Sequence, residues 1–357
     1  MAKSVKVRHG GNVVEVAARL GCRVDEILDM SSNLSPLGMI PGLKEELVGR
    51  IDELNYLPEN DSLALRRAFA RAHDIDPDQV LAGSGTTEFI FAAPGSLPAR
   101  RAVIVNPTYG DYRVACRRAG VEAVDFFLNP EEGFRLDLLK LGEFIRQGDL
   151  VFICNPNNPT AIFTPSRQIY EFACDHPRAF FLVDESYIHF LKEESLLDFS
   201  PWPENLLVLS SYSKVFGIPG IRLGFLASTP ANLAPFSEKG RPWGVNRMAQ
   251  IAGEYVCDKG AAYQERVRGL VASERPRVAA GLAGIDGIEP VAGSANFIMS
   301  HITGPVRAGE LAARMLERRI MLRNCENFAG LDDTFFRISL KTPEENDRFL
   351  KNLRKLF

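Results

Sequence analysis

The chain has 357 residues, 46% hydrophobic and 24% charged, a balance ordinary for a soluble globular protein and a length beyond one compact core. Its 42 basic and 45 acidic residues leave a net charge of -3, which gives no electrostatic reason to expect nucleic acid or a membrane surface as partner. No apolar run approaches the roughly 20 residues that span a bilayer, residues 1–8 lack the apolar segment of a secretory leader, and the six cysteines show neither a CxxC pair nor a framework spacing. Reduced, mostly buried thiols in a cytoplasmic protein are therefore expected. The five histidines are scattered without metal-ligand spacing, and no metal is expected.

Apolar residues at helical spacing predict helices over 64–72 and 308–317. Between them, short apolar runs end repeatedly in chemically loaded loops. The run 79–82 breaks into Gly83-Ser84-Gly85-Thr86-Thr87-Glu88, the pattern of a strand, a glycine turn and a helix start. At Gly85 and Thr86 the backbone can approach an anion and point first-turn amides at it, although the GxGxxG dinucleotide fingerprint is absent. The run 102–105 ends in Asn106-Pro107-Thr108-Tyr109, where the Tyr109 ring can stack on a flat ligand. Residues 150–154 lead into Asn155-Pro156-Asn157-Asn158-Pro159-Thr160, a loop stiffened by two prolines in which Asn157 can donate a hydrogen bond. The buried-strand pattern 179–183 delivers Asp184 at its carboxyl end, with Tyr187 just beyond. Segment 210–224 then sets Lys214 beside Ser211 and Ser213, with Arg222 eight positions later. Strands at 295–299 and 336–340 belong to a smaller domain.

Each feature alone has an ordinary reading: a solvated lysine, a capping aspartate, a proline-rich turn. Their recurrence at strand ends changes the weighing, because open α/β sheets bind ligands at the carboxyl ends of their strands. Lys214 can hold an aldehyde as a Schiff base, and Ser211, Ser213 and Arg222 are the residue types that bind a phosphate on the same molecule. A carboxylate such as Asp184 against a pyridine nitrogen raises that nitrogen's proton affinity, and Asn157 and Tyr187 can donate to a phenolic oxygen. These are the requirements of pyridoxal 5'-phosphate (PLP).

With the motifs 83–88, 107–112, 155–160, 184–187, 213–214 and Arg222 in that order, the chain resembles the fold-type I PLP enzymes of the class I and II aminotransferase superfamily over nearly its whole length. The resemblance implies an α/β fold with a mostly parallel sheet in a large domain and a smaller α+β C-terminal domain. It implies an N-terminal arm over 1–40 packing on the small domain and active site, a large PLP-binding domain over 41–243 and a small domain over 244–357. Two subfamilies are similar, histidinol-phosphate aminotransferase and the threonine-phosphate decarboxylase of cobalamin biosynthesis. Segments 9–12, 31–38, 241–246 and 323–331 favour the second. The expected activity is decarboxylation of L-threonine O-3-phosphate to 1-aminopropan-2-yl phosphate, with transamination of histidinol phosphate as the alternative.

The resemblance makes Lys214, Asp184 and Tyr187 catalytic, and Gly85, Thr86, Tyr109, Asn157, Ser211, Ser213 and Arg222 cofactor-binding. It places Arg337 on the substrate carboxylate and implies a homodimer in which Tyr56 reaches the partner's cofactor phosphate. His9, Asn33 and Arg323 are the candidates for gripping the substrate phosphate, with Asn157 counted among the substrate-binding residues as well; the Arg323 fork suits paired, charge-assisted bonds. Two positions depart from the usual pattern: Ala161 stands where glycine is common, and Ser35 where many relatives carry asparagine.

Overall fold

Side chains of the central strands alternate between two apolar cores, one on each face of the sheet, so the strands read as continuous apolar runs. In the computed structural model, which describes residues 10–357, these strands are β1 (Val80–Gly83), β2 (Arg101–Asn106), β3 (Glu122–Phe127), β4 (Asp149–Cys154), β5 (Phe180–Asp184), β6 (Leu206–Ser210) and β7 (Gly224–Ala227). Val103, Val105, Val151, Ile153, Phe181 and Val183 enter one core, and Ala102, Ile104, Leu150, Phe152 and Leu182 the other. The order across the sheet is β1-β7-β6-β5-β4-β2-β3. All neighbours run parallel except β7, which is antiparallel to both β1 and β6. The carboxyl ends of β1, β2, β4, β5 and β6 thus share one edge with the amino end of β7.

Strands expected at 79–82, 102–105, 150–154 and 179–183 all form, each with ends close to those expected, and the two expected helices run Leu63–His73 (α1) and Ala308–Leu316. Helix α2 (Thr86–Ser96) starts directly after β1, and α3 (Arg247–Ala283) is 37 residues long, with the Asn246 side chain accepting from the Ala249 amide at its start. Near its beginning α3 packs through Gly253 on Leu65 and Leu223, and near its end through Gly281 on Leu350. Arg275, also late in α3, donates to the Ala295 carbonyl at 2.8 Å. The same helix therefore lines both the large sheet and a second, antiparallel sheet of β8 (Ile288–Pro290), β9 (Phe297–Ile302), β10 (Arg323–Asn324) and β11 (Phe335–Ser339), ordered β10-β11-β9-β8.

Residues 10–40 tie the small sheet to the lysine turn. Leu28–Asp29 pairs in parallel with Ile320–Met321, and the Met30 carbonyl accepts from the Ser339 amide at 2.8 Å. Ser35 N donates to the Lys214 carbonyl at 2.9 Å and Ile40 N to the Phe216 carbonyl at 3.1 Å. Among the described residues no helix is long and apolar enough to cross a membrane. All six cysteines are free thiols: Cys116, Cys154 and Cys325 are buried, Cys22 and Cys257 half-buried, and Cys174 exposed.

One buried acid makes the fold's stability pH-dependent. Glu185 follows β5 in full burial, accepting from the Leu196 amide at 2.9 Å and from the Ser195 hydroxyl. Burial pushes its carboxyl up to about 8, against the opposing effect of those two hydrogen bonds. Between the ordinary carboxyl value of 4.5 and about 8 the folded chain keeps a proton that the unfolded chain has released, so stability falls as pH rises towards about 8. The buried His73 and His189, held near 4 and near 3 by burial, act in the opposite direction but only below about 6.5. Between about pH 6.5 and pH 8 this group lowers the unfolding free energy by up to about 1.4 kcal/mol per pH unit, while Lys214 and Lys341, held below their ordinary value by burial, act in the opposite direction, so urea unfolding should show a more negative slope against pH in the parent than in Glu185→Gln. Equal slopes in parent and variant would contradict the assignment.

Candidate active site

The turn after β1 forms a cradle with no room for side chains. Gly85 has φ +78°, and a Cβ there would lie 2.5 Å from Arg222 Nη2. A Cβ on Gly224, the first residue of β7, would lie 2.3 Å from the Thr86 amide nitrogen. The start of α2 and the Arg222 guanidinium are thereby brought together, a set of donors suited to one anion. Arg222, exposed in the single chain, donates to the Pro219 carbonyl at 3.3 Å. Ser211 is buried just before the helical turn Tyr212–Val215, and the Ser213 hydroxyl donates to the Leu223 carbonyl at 2.9 Å.

Lys214 lies in that helical turn and reaches a cavity of about 210 Å³. Its ammonium is disfavoured, first by burial and then by the Arg222 charge, while the Asp184 carboxylate acts in the other direction. Asp184, buried at the end of β5, accepts from the Tyr112 hydroxyl at 2.8 Å and from the Ser186 amide at 3.0 Å. Tyr187 is buried, which pushes its phenol up to about 12, and its oxygen accepts from Asn33 Nδ2 at 3.3 Å. The Tyr109 ring lines the cavity, and its hydroxyl donates to Asp111 at 2.8 Å.

The structure corrects the role expected of Asn157. Both hydrogens of its amide are committed, one to the Pro107 carbonyl at 2.8 Å and one to Thr160 Oγ1 at 3.0 Å, and its oxygen accepts from Thr108 at 2.9 Å. It fastens two loops together, whereas the adjacent Asn158 lines the cavity and accepts from Arg337 Nη1. Period and composition do not separate two neighbouring asparagines; only the path of the loop does. Ala161, buried, adopts φ +61°, the left-handed conformation that favours glycine.

The far wall comes from the small sheet and the arm. Arg337 on β11 is buried, donates to the Ser31 carbonyl at 2.6 Å, and packs over the Phe297 ring with its Cζ 5.3 Å from the centroid. Its Nε has no hydrogen-bond partner, and neither has the Asn33 oxygen. Arg323 on β10 is the direct cross-strand partner of Arg337. It donates to Asn327 Oδ1 at 2.5 Å, and burial, then the Arg337 charge, pushes it down to about 10. Ser31, Ser32 and Phe328 also line the cavity without having been singled out from sequence. Motif 31–38 and the run 323–331 were the signals available for them. Tyr56, 74% exposed, does not line this cavity, and His9 lies outside the described residues.

A lysine facing a carboxylate at strand ends, beside a glycine cradle and an arginine, defines an α/β PLP-dependent enzyme of the aminotransferase type. The family model for aminotransferase class I and II matches residues 25–353. The chain is 33% identical over 355 residues to the threonine-phosphate decarboxylase of Salmonella typhimurium, covering 98% of this chain and 96% of that one. Among solved structures it is similar to the histidinol-phosphate aminotransferase from Clostridium acetobutylicum, with TM-score 0.86 and 26% identity over 92% of this chain and 99% of that one. It is also similar to the L-threonine-O-3-phosphate decarboxylase from Porphyromonas gingivalis, with TM-score 0.83, 26% identity and the same coverage. The chain belongs to the class I and II aminotransferase family, and its cofactor is pyridoxal 5'-phosphate.

The cradle that a Cβ would fill gives a direct test of cofactor fit. Gly85→Ala forces a side chain against Arg222 in a strained backbone conformation, at about 1–3 kcal/mol. Affinity of the apoprotein for PLP, followed by absorbance titration, should fall about 5- to 150-fold; unchanged affinity would show that the cradle does not receive the cofactor.

Proposed function

We propose that the chain is a decarboxylase of L-threonine O-3-phosphate, giving 1-aminopropan-2-yl phosphate for cobalamin biosynthesis. The observation that carries a phosphorylated substrate is the Arg323–Arg337 pair. The two guanidiniums stand directly opposite on antiparallel strands and line one cavity, and among the described residues neither makes an ion pair. Like charges so placed repel, and a buried donor without an acceptor is costly. A phosphate dianion between them relieves both conditions. The whole-chain identity of 33% with a threonine-phosphate decarboxylase supports the same reading.

When bound, PLP supplies an electron sink for the bond broken at the substrate Cα. Gly85, Thr86, Ser211, Ser213 and Arg222 would hold its phosphate, Tyr109 would cover the ring, and Asn158 and Tyr187 would serve the phenolic oxygen. Asp184 would keep a proton on the ring nitrogen. Lys214, its ammonium disfavoured by its surroundings, would present a free amine to the cofactor aldehyde and would hold the proton to be moved at the substrate Cα. With Arg323, Arg337 and Asn33 on the substrate phosphate, the substrate carboxylate stays without a cationic partner. Pairing it would stabilise the ground state more than a transition state that is losing neutral carbon dioxide. Arg337 thus serves the phosphate in this reading, and not the carboxylate expected from the resemblance.

A homodimer belongs to the same proposal. Val48, Ile51, Leu54, Tyr56 and Leu57 form an exposed, largely apolar stretch that a second copy would cover, bringing Tyr56 to the partner's cofactor phosphate. Transamination of histidinol phosphate is the second reading, favoured by the likeness to the Clostridium structure and compatible with the same arginine pair.

Purified enzyme should release carbon dioxide from L-threonine O-3-phosphate without a keto acid. A strict requirement for 2-oxoglutarate, with histidinol phosphate as amino donor, would overturn the reading. Arg323→Gln should raise KM for the phosphorylated substrate about 10- to 150-fold, the range for a lost hydrogen bond to a charged group. Lys214→Ala should lose both turnover and the visible absorbance of the lysine-bound cofactor.

A further inference from the structure

The only side chain that hydrogen-bonds Asp184 among the described residues is Tyr112, outside the set that sequence singled out. Its ring is buried and stacks on Phe152 of β4, with centroids 5.0 Å apart and planes at 18°, and meets Tyr109 edge-on at 5.6 Å. Those contacts fix the hydroxyl 2.8 Å from one carboxylate oxygen, while the Ser186 amide holds the other at 3.0 Å. Burial first, and then the neighbouring Asp184 charge, raise the Tyr112 phenol well above its ordinary value, so it acts as a donor and not as an acceptor towards the carboxylate. Cys154, paired with Asp184 across the strands, directs its thiol to the Pro156 carbonyl at 3.4 Å. The two donors leave the carboxylate plane little freedom.

We infer that Tyr112 is a positioning residue that acts through Asp184, fixing its orientation and keeping the shared proton on the ring nitrogen of the cofactor. The inference rests on the proposed contact of Asp184 with that nitrogen. A carboxylate that accepts a phenol's hydrogen bond is held as the anion and competes less for a nearby proton. Without the phenol the proton moves from nitrogen towards the carboxylate oxygen. No bond other than that N–H is altered, and the ring becomes a weaker electron sink.

The test uses holoenzyme reconstituted with PLP labelled with ¹⁵N in the ring, comparing the parent with Tyr112→Phe and Asp184→Asn. Tyr112→Phe keeps the ring and its stacking, so thermal melting should remain close to the parent. Its ¹⁵N resonance should move towards that of unprotonated pyridine, and kcat should fall about tenfold or more while KM changes little, the size expected for a hydrogen bond to a charged group. An unmoved resonance with kcat within about twofold of the parent, or a loss of kcat that only follows a lowered melting temperature, would overturn the inference. If Asp184→Asn moves the resonance and Tyr112→Phe does not, the nitrogen contact stands and the role of Tyr112 alone fails. If Asp184→Asn also leaves it unmoved, the nitrogen contact fails and the inference falls with it.

Discussion

Because β7 runs against its neighbours, Arg222 just before it arrives at the same sheet edge as the residues that follow β1, β5 and β6. Strand direction fixes which chain ends meet, and the pairing Gly83↔Gly224 fixes how closely. With glycine at both positions the turn and the arginine approach within distances that a single methyl would occupy. The anion cradle, the lysine turn and the carboxylate of Asp184 all follow from that arrangement of strands. The arm then closes it from the other side through main-chain bonds from Ser35 and Ile40 to the lysine turn.

The opposite wall is built on an electrostatic imbalance. Arg323 and Arg337 are forced together by sheet pairing, partly dehydrated, and without ion-pair partners among the described residues. Natural interiors seldom tolerate unpaired charge unless a ligand completes the set. In the proposed reading, the wall is least comfortable when empty, and the dianion is what completes the pair.

Much of the large domain was legible because buried parallel strands are short apolar runs bounded by turn residues, and such runs have few alternative readings. Asp184, Lys214 and the Gly85 turn were legible for the same reason: strand ends project their next residues onto one edge. Asn157 and Asn158 differ only by one position in a loop with two prolines, where no period exists, so the amide that faces the cavity emerged only from the traced backbone. Tyr112 lies on a helix at a position that reads as core, and its hydroxyl is distinguished by one contact across 72 residues. The direct opposition of Arg323 and Arg337 depends on the register of β10 against β11, which the intervening loop sets.

That register carries a consequence for how the family can vary here. Alternate residues of a strand point to opposite faces, so sliding β10 by one position along β11 would turn Arg323 out of the cavity while leaving every backbone bond of the ladder available. The connection from Cys325 to Thr334 belongs to the same device, because Asn327 accepts from Arg323 and Phe328 lines the cavity, so one residue gained or lost there disturbs the two arginines as surely as one inside either short strand. The whole stretch from Arg323 to Ser339 thus behaves as a single unit of fixed length, whose two arginines keep their places only together.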